Sequence, residues 1–116
     1  MKMSVKIKRI ASNMMKEISY ILANEIKDEH IKFVSVTDCK VTNDLSFAKV
    51  YINTLDENKK EEILHSLDKA KGFIRKMLSE RIDIRHIPEL QFVYDDSLEN
   101  GQKIENIINK IHENEN

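Results

Sequence analysis

A chain of 116 residues, 41% hydrophobic and 34% charged, suffices for one domain with its own core, and residues 1–116 are read as one such domain. One cysteine, Cys39, excludes an intramolecular disulfide and a multi-cysteine metal site, which suits a reducing compartment. The net charge is only −1, no apolar run approaches the roughly 20 residues of a membrane span, and no signal-peptide core follows Met1-Lys2, so a cytoplasmic protein is expected.

The first element is a long helix over about residues 4–28, with Ile7, Ile10, Met14, Ile18, Ile21, Leu22 and Ile26 on one apolar stripe. Lys2, Lys6, Lys8, Arg9 and Lys16 fall largely off that stripe. Residues 32–41 are rich in Val and Thr. Residues 45–54 alternate Ala48, Val50 and Ile52 against Phe47, Lys49 and Tyr51. With turn chemistry at Thr42-Asn43-Asp44 between them, these are the strands of a β-hairpin. Asp56 is placed to cap a helix beginning near Glu57. Pro88 lacks an N–H and is expected to stop that helix after about Arg85. Glu89–Asp95 reads as a third strand, and Leu98–His112 as a final amphipathic helix capped by Asp95, Asp96 and Ser97, with residues 113–116 a frayed tail.

The second helix contains the most informative stretch, Lys69-Ala70-Lys71-Gly72-Phe73-Ile74-Arg75-Lys76-Met77-Leu78. Glycine in a helix interior costs about 1 kcal/mol relative to alanine. The apolar positions Ile63, Leu67, Ala70, Ile74 and Met77 still recur at helical steps on both sides of it. The spacing predicts two helices broken or kinked at Ala70-Lys71-Gly72. A helix start there would present free backbone N–H groups beside Lys69, Lys71, Arg75 and Lys76, a phosphate site. The alternative is a tolerated glycine on a solvated basic face. The expected fold is α+β, in the order helix, strand, strand, broken helix, strand, helix, with a three-stranded sheet packed by helices.

Charge is distributed unevenly. Residues 1–16 carry five cations and no acid, residues 69–86 six cations against two acids, and segments 17–68 and 87–116 each sum to −5. Two basic segments in an otherwise acidic chain point to nucleic acid if they converge on one face. Arg81 and Arg85 are read instead as surface residues paired with Glu80 or Asp83. A basic face meeting an acidic protein partner, in a protein-interaction adaptor, is the competing reading.

Five segments resemble the ribosome-binding factor A family, whose fold is the type II KH-like domain. They are Glu25-Ile26-Lys27-Asp28, Asn43 through Tyr51, Ala70 through Arg75, Arg85-His86-Ile87-Pro88-Glu89-Leu90, and Phe92-Val93-Tyr94-Asp95 leading into Ser97. They occur in order and at the family's spacing, and the flanking helices fit as well. The resemblance implies a non-catalytic factor that binds the free or immature small ribosomal subunit and its rRNA. It further implies a role in late maturation, including processing of the rRNA 5′ end, and an association with growth in the cold. Type II KH domains usually carry Gly-x-x-Gly to clamp the nucleotide backbone. The family has Ala-x-Gly at that place, here Ala70-Lys71-Gly72. The chain departs from the family where Pro-Arg often follows Lys27-Asp28, since Glu29-His30 stand here.

From the residues and the resemblance together, the expected RNA contacts are Lys69, Ala70, Lys71, Gly72, Arg75 and Lys76, joined by Lys2, Lys6, Lys8 and Arg9. The four histidines stand in no metal-binding frame, no phosphate-binding glycine loop is present, and Cys39 reads as a packed side chain. A monomer without catalysis, cofactor, metal or small-molecule substrate is expected. Few aromatics and no Trp argue against a binder built on base stacking. Most of the aromatics fall at core positions, with Phe73 anchoring the second half-helix. Recognition is therefore expected to be of RNA shape and backbone.

Overall fold

The computed structural model describes residues 5–96. The expected final helix and frayed tail, together with Lys2, lie outside the described residues. Helix α1 spans Val5–Asn24 and buries Ile7, Ile10, Ala11, Met14, Ile18, Ile21 and Leu22 along one side. The chain then turns twice, with Ile31 donating to the carbonyl of Asp28 and Val34 to that of Ile31, before β1 begins. These turns delay β1, which runs Ser35–Val41 and starts three residues later than expected. Strand β2 spans Phe47–Asn53 and strand β3 spans Glu89–Tyr94.

The sheet order is β1-β2-β3, with β1 antiparallel to β2 and β2 parallel to β3. A parallel pair needs a long crossover, and helix α2, Lys60–Arg81, supplies it. Inward-facing Val36, Cys39, Val41, Ala48, Val50, Ile52 and Leu90 join the helical stripes in one core. Helix α1 packs on β1, α2 on β3, and the helices touch each other. The opposite sheet face, with Asp38, Lys40, Phe47, Lys49 and Gln91, is exposed.

The hairpin turn runs from Thr42 to Ser46, longer than a two-residue turn. Asp44 Oδ1 accepts from the Ser46 backbone at 3.0 Å, the Ser46 hydroxyl at 2.6 Å and the Thr42 hydroxyl at 2.8 Å. These bonds hold its carboxyl well below the ordinary range, at about 2. They also hold Leu45 in left-handed backbone (φ 62°), where a non-glycine residue is strained by roughly 1–2 kcal/mol.

Two expectations about α2 need correcting. The mixed α+β architecture with three strands stands, but α2 is one continuous helix through Ala70, Lys71 and Gly72. Gly72 does not adopt left-handed backbone. Ile63 and Leu67 before it, and Ile74 and Leu78 after it, are all at most 2% exposed. Breaking the helix between them would forfeit ladder hydrogen bonds and the alignment of two buried pairs, more than the about 1 kcal/mol a glycine costs. The helix also ends at Arg81, not near Pro88. Ile82 turns extended (φ −113°, ψ 125°), and its N–H donates to Leu78 O. Ile82 is itself buried, so the core rather than the proline draws the chain out of the helix.

Asp56 follows the capping expectation, and the helix that Asp95, Asp96 and Ser97 are expected to cap lies outside the described residues. Asp56 Oδ1 accepts from the Asn58 N–H at 3.1 Å, opening the single 3-10 turn Glu57–Lys59 before α2. Among the described residues, Asp95 ties the sheet together. Its Oδ2 accepts from Thr37 at 2.5 Å and its carbonyl from Asn53 at 2.8 Å.

Candidate nucleic-acid interface

Gly72 lies on the exposed side of α2. A side chain added there would meet nothing within 4 Å. Lys69 precedes it by three residues and Lys76 follows by four, so both exposed cations share its stripe. Lys71 and Arg75, also four apart, face the sheet. With Gly72 they wall a groove of about 350 Å³ whose other side is Phe47 at the start of β2 and Glu89, Leu90 and Gln91 of β3. Within these four cations, side-chain freedom differs. The Lys71 Nζ lies 2.6 Å from Asp68 Oδ1, in an exposed pair that phosphate can displace. The neighbouring Lys71 lowers the Asp68 carboxyl below its usual range, through the hydrogen bond first and charge second. Arg75 is half-buried. Its Nη2 donates to Ile87 O at 3.0 Å, and its Nε is buried without an acceptor. It braces the segment entering β3.

The cations of α1 do not join this groove. Lys6, Arg9, Asn13 and Lys16 face Arg81 to Ile84 across a second groove of about 450 Å³. Lys8 points to the opposite flank of α1, beside Asp38 and Lys40 of β1. Arg81, on the wall of this second groove, lies nine residues beyond Gly72, about 14 Å along the helix at 1.5 Å per residue. It pairs with Glu25 and, at 3.8 Å, with Glu17, not with Glu80 or Asp83. The hydrogen bond it donates to Glu25 raises its already high pKa. Glu25, at the head of the first of the five sequence segments, thereby fastens the end of α1 to the end of α2. Asp28 and Glu62 flank His30, at 3.3 Å from Nδ1 and 3.4 Å from Nε2, so His30 joins the turn to the start of α2.

The aromatic expectation changes at two positions. Phe73 is 41% exposed and does not anchor the core, whereas Phe47, set aside with the other aromatics as a base-stacking candidate, is 55% exposed and lines the groove. The alternation of β2 already put Phe47 on the parity opposite Ala48, and that was the available signal. Cys39 is buried, and burial followed by the Asp38 carboxylate pushes its thiol up to about 11, the state of a packed side chain and not of a nucleophile. Among the described residues no helix is long and apolar enough to cross a membrane, and no cluster of three or more His, Cys, Asp or Glu is placed to hold a metal.

A three-stranded sheet of this order, with helices on one face and a basic groove at a helical glycine, places the protein among the KH-like α+β proteins. The sequence profile described as ribosome-binding factor A matches residues 6–108. The chain is 48% identical over 111 residues to ribosome-binding factor A of Finegoldia magna, covering 93% of this chain and 92% of that protein. It is 45% identical to that of Staphylococcus carnosus, covering 93% and 95%. The chain belongs to the ribosome-binding factor A family. Among solved structures, the crystal structure of the Thermus thermophilus factor aligns with a TM-score of 0.70 at 19% identity, over 76% of this chain and 93% of that one. Coordinates of a Thermus thermophilus homology model fitted into a map of a complex of that factor with the 30S subunit align at 0.62 and 18% identity, over 74% and 91%.

Proposed function

We propose that this protein is a non-catalytic assembly factor that binds the free or immature small ribosomal subunit and contacts its rRNA. It supports late maturation, including processing of the rRNA 5′ end, and acts in the cytoplasm as a monomeric single domain without a cofactor. The observation carrying this reading is the coincidence, in a member of this family, of an open glycine surface with a cation cluster on the same helix. Lys69, Lys71 and Lys76 neutralise phosphates around Gly72, where the missing side chain admits a nucleotide backbone. Arg75 holds the groove wall in place. Lys6 and Arg9 on the second groove offer a separate basic contact. The factor favours one rRNA conformation only to the extent that it binds that conformation more tightly, so free or precursor subunits are preferred over joined ribosomes.

The test is sucrose-gradient co-sedimentation of the purified protein with small subunits, large subunits and joined ribosomes at two salt concentrations. Salt-sensitive binding confined to free small subunits is expected, and the triple variant Lys69→Ala, Lys71→Ala, Lys76→Ala should lose it while melting like the parent. Unchanged co-sedimentation of that variant overturns the site. Absence of the parent from every ribosomal fraction overturns the function, and complexes that survive RNase favour a protein adaptor.

A further inference from the structure

The end of the sheet away from the Gly72 groove carries two large apolar side chains that the described residues leave open. Leu55 is 100% exposed and Phe33 73%. Single exposed apolar residues are ordinary, so what matters is that these two crown the same end. Ser35, the first residue of β1, pairs with Asn53, the last of β2. Phe33 precedes Ser35 by two residues and Leu55 follows Asn53 by two. The chain also leaves the described residues here. Tyr94 pairs with Ile52, the Asp95 N–H donates to the Ile52 carbonyl and Asn53 donates to the Asp95 carbonyl, so Asp96 stands level with Thr54, next to Leu55. Phe47, which lines the Gly72 groove, is eight residues back along β2, about 26 Å at 3.3 Å per residue. The apolar patch is therefore separate from that groove.

Twenty residues, 97–116, follow Asp96. Their apolar positions Ile104, Ile107, Ile108 and Ile111 recur at helical steps. A helix of this length is marginal in water unless its apolar stripe packs against something. We propose that residues 98–112 fold back as an amphipathic helix onto the end of the sheet marked by Phe33 and Leu55, and close the core there. Attachment beside Leu55 gives the segment an effective concentration on the order of millimolar, ahead of any dilute partner. Charge agrees with this occupant. Lys32 lies 5.8 Å from the Phe33 ring and Lys60 4.7 Å from the Tyr94 ring, while residues 97–116 carry four glutamates and two lysines. An RNA strand would use the two lysines but has no use for Leu55.

The experiment uses the full chain and pairs of introduced cysteines under mild oxidation, with native Cys39 buried and out of reach. Leu55→Cys with Ile108→Cys should close an intramolecular disulfide on the order of tenfold faster than Leu55→Cys with Asn106→Cys, whose position lies on the other side of the helix. Hydrogen exchange supplies the second reading. Amides of residues 104–111 should exchange on the order of tenfold more slowly in the wild-type protein than in Leu55→Asp, with the amides of β2 and β3 alike in both. Equal closure of the two cysteine pairs overturns the proposal, because the segment is then near the patch without being seated on it. Disulfides that form between chains overturn it in favour of a second copy. Unprotected amides at 104–111 in the wild-type protein, or protection that Leu55→Asp leaves unchanged, overturn it as well and leave the patch to another protein. The cysteine comparison decides the matter even if Leu55→Asp were to disturb the sheet.

Discussion

Gly72 is the residue where stability and binding pull apart. The surrounding backbone is helical, and a methyl group there would meet open space. Gly72→Ala should therefore raise stability by up to about 1 kcal/mol in urea unfolding, since alanine is the better helix former. The same methyl would occupy the surface offered to a nucleotide backbone, so subunit binding should fall. A variant more stable and equally well bound would remove the reason proposed for keeping glycine. Asp44 sets a pH dependence of known sign. Its folded pKa, about 2, lies below its ordinary value of 3.8, so the stabilisation is complete above that ordinary value and disappears as pH falls through about 2. Asp44→Asn should unfold with a flatter acid dependence across that window, measured by circular dichroism. Parallel acid curves for parent and variant would show that the turn does not depend on the carboxylate.

At the scale of elements, α2 carries the crossover, the groove wall and the glycine, so its continuity matters most. Gly72→Pro tests that continuity. In an unbroken helix proline removes one ladder bond and clashes with the preceding turn, costing about 3 kcal/mol or more, whereas a helix start would accept it. A loss well under that size in thermal or urea unfolding would restore the broken-helix reading. The far end of α2 is joined to α1 by Arg81, which touches Glu25 and Glu17 and lies 6.0 Å from the ring of Tyr20. Removing the arginine leaves Glu25 partly buried and uncompensated, since its Oε2 already lacks a partner. Arg81→Ala and Glu25→Ala should each destabilise, and the double variant should lose less than their sum in a double-mutant cycle. Additive losses would mean that the two side chains act independently.

For the whole molecule, charge governs association. If about five cations engage phosphates, the log–log salt slope is roughly −4, and affinity falls by two to three orders of magnitude between 50 and 200 mM salt. A slope near zero in gradient binding would exclude a phosphate interface. The composition and the 3.6- and 2-residue periodicities were enough to reveal two long helices, a hairpin and a third strand, because burying one face of each element repeats at those periods. The motif around Gly72 and the cation clusters were equally visible, since both are local. Whether Gly72 breaks the helix was not visible, because the outcome depends on Ile63, Leu67, Ile74 and Leu78 finding a common core. The same limit applied to Arg75, whose partner Ile87 lies twelve residues away. It applied to Phe47 as well, which gained a groove only once β2 lay parallel to β3. Periodicity, charge and turn chemistry are properties of neighbouring residues and are written along the chain. Helix continuity, the partners of Arg75 and Arg81, and the separation of the cations into two grooves arise from contacts between distant segments, and only the tertiary structure decides them.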